Sequence, residues 1–228
     1  MRSAGLSVRP MSESGAARYI AVEGPIGVGK TELAKRLAER MSADLLLEEV
    51  AENPFLERFY RDGRRAALPA QMFFLFARAR QLEALRQSDL FTEARVADYL
   101  FAKDRLFAEL NLDADELALY DQVVANLDIE VPVPDLVIYL QASVDALLQR
   151  IARRGRPYEF RIERGYLERL ADAYARYFHT YDESPLLIVN ASDIDPVSND
   201  ADFEQLYRRI ETISGGRHFF NPAAAALA

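Results

Sequence analysis

The chain has 228 residues, 50% of them hydrophobic, and a formal net charge of −8 at pH 7. That length and apolar content suit one large α/β domain with a full core. Cysteine is absent and the histidines are His179 and His218 alone, which excludes a disulfide framework, a thiolate nucleophile and a histidine-rich metal site. The acidic balance argues against sequence-independent binding to nucleic acid, which rests on neutralising phosphates.

Residues 1–17 lack the apolar core of a signal peptide and read as a disordered lead. No run approaches the roughly 18 apolar residues of a membrane span, so a cytoplasmic protein with no membrane partner is expected. From there strands and helices alternate. "RYIAVE" (18–23) reads as a buried strand, and "TELAKRLAERM" (31–41) has the 3.6-residue rhythm of a helix. "DLLLEEV" (44–50) is a second strand, "FLERFYRDG" a short helix closed by Gly63, and "PAQMFFLFARARQLEALRQ" (69–87) a long helix with proline in its first turn. "EARVADYL" (93–100) is a third strand; "FAKDRLFAEL" and "DADELALYDQVVANLD" are helices. "PDLVIYL" (134–140) is a fourth strand, and Ser143 caps a helix over 143–154. A helix over 164–182, a fifth strand over 185–190 and a helix over 199–213 complete the series. This order implies a parallel sheet with helices on both faces, with ligands at the carboxyl ends of its strands. The expected organisation is the lead 1–17, one domain over 18–214 and a tail over 215–228.

"GPIGVGKT" (24–31) matches G-x-x-x-x-G-K-[ST] between a strand and a helix, the context in which that pattern holds phosphate. Gly24, Gly27 and Gly29, with Pro25, Ile26 and Val28 between them, let backbone N–H groups curl around phosphate oxygens. Lys30 reaches the β and γ phosphates, and Thr31 offers a hydroxyl to Mg²⁺. N-K-x-D-type guanine recognition is absent from the sequence, so ATP is the expected nucleotide. A second signal is "RIARRGRPYE" (150–159): residues 150–169 hold seven arginines and three glutamates, a local anion trap in an acidic chain.

"YIAVEGPIGVGKT", "LLLEEVAENPFLERFY", "LPAQMFFLFARARQ", "VADYLFAKDRLFAEL", "PDLVIYLQAS" and "RIARRGRPYE…YLERL" occur in this order over residues 18–214. In them the chain resembles the deoxyribonucleoside kinases, in particular bacterial deoxyadenosine/deoxyguanosine kinase-like members. The resemblance implies a P-loop NTPase-type three-layer fold with a five-stranded parallel sheet, an arginine-rich lid, a homodimer, and ATP- and Mg²⁺-dependent phosphorylation of a deoxyribonucleoside 5′-hydroxyl. It implies Glu48 as general base, and Arg150, Arg154 and Arg156 as lid arginines that, with Lys30, neutralise the transferring phosphoryl group. Tyr60 and Glu159 correspond to residues that hold the sugar 3′-hydroxyl, and Gln71 to the glutamine that reads the base. Gln71, Phe74 and Arg78 lie on one helix face at i, i+3 and i+7, as a base pocket would need. Asp98 keeps the acid at the end of the third strand, where it would hold Mg²⁺ or its water shell.

Two departures stand out. Tyr99 replaces an arginine that in relatives contacts the base and the catalytic carboxylate, with Arg78 or Lys103 as the possible substitutes. The aspartate that accompanies that arginine has Asp121 and Gln122 as its nearest positions. Base preference therefore does not carry over. The alternative readings are a nucleoside monophosphate kinase such as thymidylate kinase and, further off, a non-catalytic nucleotide switch. An acceptor that is already an ionised phosphate needs no base at Glu48, and the sequence shows no switch loops.

Overall fold

The computed structural model describes residues 18–88, 94–127, 129–192 and 194–221. Strands β1 (Arg18–Glu23), β2 (Asp44–Leu46), β3 (Ala94–Ala97), β4 (Leu136–Gln141), β5 (Leu186–Asn190) and β6 (Arg217–Phe220) form one sheet in the order β2-β3-β1-β4-β5-β6. Every adjacent pair is parallel. Successive side chains of a strand point to opposite faces. In β4 the five residues Leu136 to Leu140 are all buried, so both faces are covered, which is the three-layer arrangement expected. The covering helices include α1 (Lys30–Met41), α4 (Lys103–Asn111), α6 (Val144–Arg154), α7 (Arg164–Thr180) and α8 (Asp200–Glu211). Helices α2 (Leu56–Asp62), α3 (Ala67–Ser88) and α5 (Ala114–Asn126) form the remainder, with Leu75, Ala108 and Tyr120 at the centre of a second apolar cluster.

The expectation of five strands is corrected to six among the described residues. β6 falls in the stretch read as tail. Only alternate residues of it face inward, Arg217 and Phe219 being exposed and His218 and Phe220 half-buried. It therefore lacks the continuous apolar run that marks the inner strands. The second strand is also shorter than its sequence run. β2 is an edge strand whose ladder ends at Leu46, and Glu48 lies in the coil beyond it, before a 3-10 turn at Val50–Glu52. Asp98 sets this exit: its N–H donates to the Leu46 carbonyl (3.0 Å) and its carboxylate accepts from the Glu48 N–H (2.8 Å). The third strand likewise ends at Ala97, while position 93 lies outside the described residues, as do 1–17 and 222–228.

Helix α6 begins where Ser143 Oγ accepts from the Ala146 N–H (3.3 Å). It ends at Gly155, whose positive φ of 70° turns the chain into a 3-10 segment at Pro157–Arg161. This turn brings the arginine cluster back over the phosphate loop.

Candidate active site

The phosphate loop is held by a buried carboxylate. Glu23, the last residue of β1, accepts from the Gly24 N–H (2.9 Å), the Leu100 N–H (2.7 Å) and the Tyr174 hydroxyl (2.9 Å). Gly24 has φ 148°, and a Cβ there would lie 2.4 Å from the Leu140 carbonyl oxygen, on a neighbouring strand that cannot recede. At Gly27 a Cβ would meet Ile151 Cγ1 at 2.7 Å. Gly24→Ala is thus expected to lower both thermal stability and ATP affinity. Strain of about 1–3 kcal/mol from the backbone alone corresponds to a Kd weaker by about 5- to 150-fold by titration calorimetry. Wild-type affinity in that variant would show that the loop tolerates the displacement.

Lys30 Nζ donates to the Gly24 and Pro25 carbonyls (2.7 and 3.2 Å). Burial, and next the charge of Lys103, pull its pKa down to about 8 against the nearby carboxylates Glu23, Glu48 and Asp98. An arriving polyphosphate would supply the missing negative charge. The loop opens on a cavity of about 330 Å³ lined also by Arg150, Arg153, Arg154, Arg156 and the Ile194–Val197 segment. Thr31 Oγ1 donates to Asp98 Oδ2 (2.6 Å), so the two residues expected at the metal are neighbours. They are hard oxygen donors at the mouth of the loop. Among the described residues no group of three or more His, Cys, Asp or Glu could hold a metal alone. Two protein oxygens suit Mg²⁺, which keeps waters and substrate phosphates as its other ligands.

Glu48, carried to the end of β2, meets two cations. Lys103 Nζ donates to its Oε2 (2.8 Å), while Arg78 donates to Oε1 through Nε (3.1 Å) and Nη2. Burial pushes the carboxyl up, but Lys103 and then Arg78 outweigh it and hold the pKa at about 2. Arg78 is 3% exposed and also pairs through Nη1 with Asp104, itself 1% exposed. Burial works against the Arg78 charge, and Asp104 and Glu48 more than compensate, so its pKa is raised. Gln71 Nε2 donates to the Asp104 carbonyl (2.9 Å) and carboxylate, and the Tyr120 hydroxyl donates to Asp104 Oδ1 (2.9 Å). Phe74 lies under the Arg78 guanidinium, 5.1 Å from ring centroid to Cζ. Gln71 and Arg78 therefore meet at Asp104, Phe74 packs against the Arg78 guanidinium, and Arg78 joins this cluster to Glu48.

In the lid, Arg154 makes a two-pronged contact with Glu159 (Nε to Oε2 2.9 Å, Nη2 to Oε1 2.7 Å), and Arg156 approaches the same carboxylate at 3.5 Å. Tyr60 stacks on Tyr158, with centroids 6.1 Å apart and planes 7° apart. Burial, reinforced by Tyr166 and Glu159, keeps the Tyr60 phenol protonated and able to donate. Tyr60 and Glu159 thus stand on one side of the cleft. Arg150 lines the phosphate cavity but commits Nη1 to the Val28 carbonyl (3.2 Å) and Nη2 to the Ala191 carbonyl, bracing the loop against the end of β5.

The family model described as deoxynucleoside kinase matches residues 20–214. The chain belongs to the deoxynucleoside kinase family. It is 36% identical over 204 residues to a deoxyguanosine kinase of Bacillus subtilis (strain 168), spanning 86% of this chain and 98% of that relative. A deoxyadenosine/deoxycytidine kinase of the same organism is 29% identical over 202 residues, 85% of this chain and 92% of the relative. Among solved structures, deoxyadenosine kinase from M. mycoides with bound dATP superposes with a TM-score of 0.74 at 26% identity, covering 86% of this chain and 100% of that one. The reaction is phosphoryl transfer from ATP to a deoxyribonucleoside.

In this deoxynucleoside kinase the carboxylate paired with Arg78 is that of Asp104. Asp121 is exposed and pairs with Arg105. Tyr99 does not reach the carboxylate. Its hydroxyl donates to Gln81 Oε1 (2.8 Å), and Gln81 Nε2 donates to the Leu47 carbonyl (2.9 Å), pinning the backbone next to Glu48. Sequence reasoning missed Asp104, Tyr120, Gln81 and the structural role of Glu23. A signal for the first was present. In "FAKDRLFAEL" Lys103 precedes Leu106 by three and Asp104 precedes Ala108 by four, which puts both charges on the buried face of α4.

Proposed function

We propose that Glu48 receives the deoxyribonucleoside 5′-hydroxyl and that Asp104, Arg78 and Gln71 receive its base. The observation that carries this reading is Asp98: one oxygen accepts from Thr31 of the phosphate loop and the other from the Glu48 backbone N–H. One side chain thereby ties the donor end to the acceptor end. A carboxylate held at about 2 is a weak base, so Glu48 first orients the hydroxyl as a hydrogen-bond acceptor. The transition state of phosphoryl transfer is loose, and the proton moves to the carboxylate late, as the oxygen–phosphorus bond forms. Lys30 and the loop amides hold the γ-phosphoryl oxygens, and Arg154 and Arg156 turn from Glu159 toward them as the lid closes. Glu159 is then free to accept the 3′-hydroxyl proton while Tyr60 donates to that oxygen. Thr31 and Asp98 would hold Mg²⁺, which would supply positive charge against the phosphates.

The base would meet a carboxylate that only accepts beside a guanidinium that only donates. Every nucleobase has an edge with an N–H next to an acceptor, so this face alone does not select one. The test is a coupled ATP-consumption screen of the four deoxynucleosides against the four deoxynucleoside monophosphates. Turnover confined to deoxynucleosides is expected. Turnover confined to monophosphates would establish the thymidylate-kinase-like alternative instead.

The same reading includes a homodimer and a cytoplasmic location. Phe76 on α3 and Leu119 on α5 are large apolar side chains, 42% and 48% exposed, that a second copy would cover. Light scattering is expected to give twice the 25.8 kDa chain mass. Among the described residues no helix is long and apolar enough to cross a membrane, in keeping with a location beside the ATP pool.

A further inference from the structure

The buried charges around Glu48 form a closed alternating ring: Lys103, Glu48, Arg78 and Asp104, with Lys103 and Asp104 adjacent in the chain at the start of α4. Its two cations are not equivalent. Arg78 is shared between Glu48 and Asp104, so its charge is already balanced from the base pocket. Lys103, 4% exposed, has its ion pair with Glu48 alone among the described residues. It lies beside two aromatic faces, 6.0 Å from the Tyr99 centroid and 5.9 Å from that of Phe107, which leave its ammonium little freedom. The backbone on either side of the Glu48 side chain is fixed separately, by Asp98 at the Glu48 N–H and by Gln81 at the Leu47 carbonyl.

The geometry points to Lys103 as the positioning residue of the phosphoryl transfer: it holds Oε2 of Glu48 so that Oε1 faces the acceptor hydroxyl, and it links that carboxylate through Asp104 to the occupied base pocket. The inference rests on Glu48 being the group that receives the hydroxyl. When a base engages Arg78 and Asp104, Arg78 is drawn toward the pocket and Oε1 loses a donor. The 5′-hydroxyl takes that place, while Lys103 keeps the other oxygen where it was. Base recognition is thereby converted into readiness of the carboxylate. A lysine suits this part because its compact ammonium grips one oxygen, whereas a guanidinium tends to engage both.

The experiment measures kcat and KM for full-length wild type, Lys103→Met, Lys103→Gln, Lys103→Arg and Glu48→Gln. The acceptor is whichever of deoxyadenosine and deoxyguanosine turns over faster, with ATP as donor. Lys103→Met is expected to lose about 100-fold in kcat, the cost of a misplaced reacting group, with nucleoside KM within about threefold. Lys103→Gln, which keeps a donor without the charge, carries the same test should the methionine variant not fold. Lys103→Arg keeps the charge and recovers at least tenfold of the loss. Neutral variants with kcat within threefold of wild type, a nucleoside KM that rises in step with the fall in kcat, or an equal loss in all three substitutions would each overturn the assignment. Glu48→Gln separates the two ideas. If it is inactive while Lys103→Met is normal, Lys103 alone is misassigned; if it is itself normal, the reading of Glu48 falls.

Discussion

Glu48→Gln is expected to lower turnover by about 10²–10⁴-fold, the usual contribution of a general base, while deoxynucleoside binding persists. The amide keeps the shape of the side chain and its oxygen can still accept one hydrogen bond. It cannot take up the proton released as the new oxygen–phosphorus bond forms. Binding survives because Gln71, Arg78 and Asp104 on the base side do not depend on that proton. The substitution has a second, independent signature in stability. The folded-state pKa of Glu48 is depressed from 4.5 to about 2. A depressed carboxyl stabilises the fold fully above its unfolded value and loses that contribution as pH falls through the folded one. Wild-type stability therefore falls more steeply with acid between about pH 4.5 and 2 than that of Glu48→Gln. Near-wild-type kcat in a correctly folded Glu48→Gln would remove the base assignment, and parallel acid-unfolding curves would remove the account of its charge.

Which parts of this were legible in the sequence follows from range. The phosphate loop and the lid are local. "GPIGVGKT" holds its glycines and lysine within eight residues, and the cluster at 150–159 sits in one helix end and the turn after it. Their geometry is written in spacing and turn chemistry, and both sequence segments line one cavity. The strand pattern was equally plain at the centre of the sheet, where burial on both faces demands unbroken apolar runs. At the edges it was not. β6 is half exposed, and β2 gives up its ladder after three residues because Asp98 diverts the chain to present Glu48. The buried cluster proposed to receive the base was legible on one side only. Gln71, Phe74 and Arg78 announce themselves at i, i+3 and i+7, but their partner comes from another helix. Asp104 meets them across sequence separations of 33 and 26 residues, which no local pattern encodes. A physical clue remained in the composition of α4, because two adjacent charges on its buried face can persist only if each is paired.

That pairing makes Asp104 the position of largest expected effect on both stability and base binding. Asp104 accepts from Gln71, Arg78 and Tyr120 in an environment sealed from water. Asp104→Ala strands three buried donors and leaves Arg78 balanced by Glu48 alone. Breaking a buried ion pair from one side costs about 3–5 kcal/mol. For a chain of this size that lowers Tm by about 10 °C or more. Released from Asp104, Arg78 closes fully on Glu48, so the variant is also expected to lose turnover with every base, not only with a preferred one. Asp104→Asn separates the two effects. Its oxygen can still accept from Gln71 and Tyr120, but it turns an amide N–H₂ toward the guanidinium and toward the base. Much of the fold stability is retained, while a base that donates to the carboxylate now meets a donor. A site built to pair with a substrate group discriminates strongly when that pairing is denied, because its own buried groups are then left unsatisfied. The expected result is a fall of at least tenfold in kcat/KM with both deoxyadenosine and deoxyguanosine in Asp104→Asn, measured beside a Tm within a few degrees of wild type. Unchanged kcat/KM with a large fall in Tm would make Asp104 a structural brace for Arg78 and would move base binding to other residues.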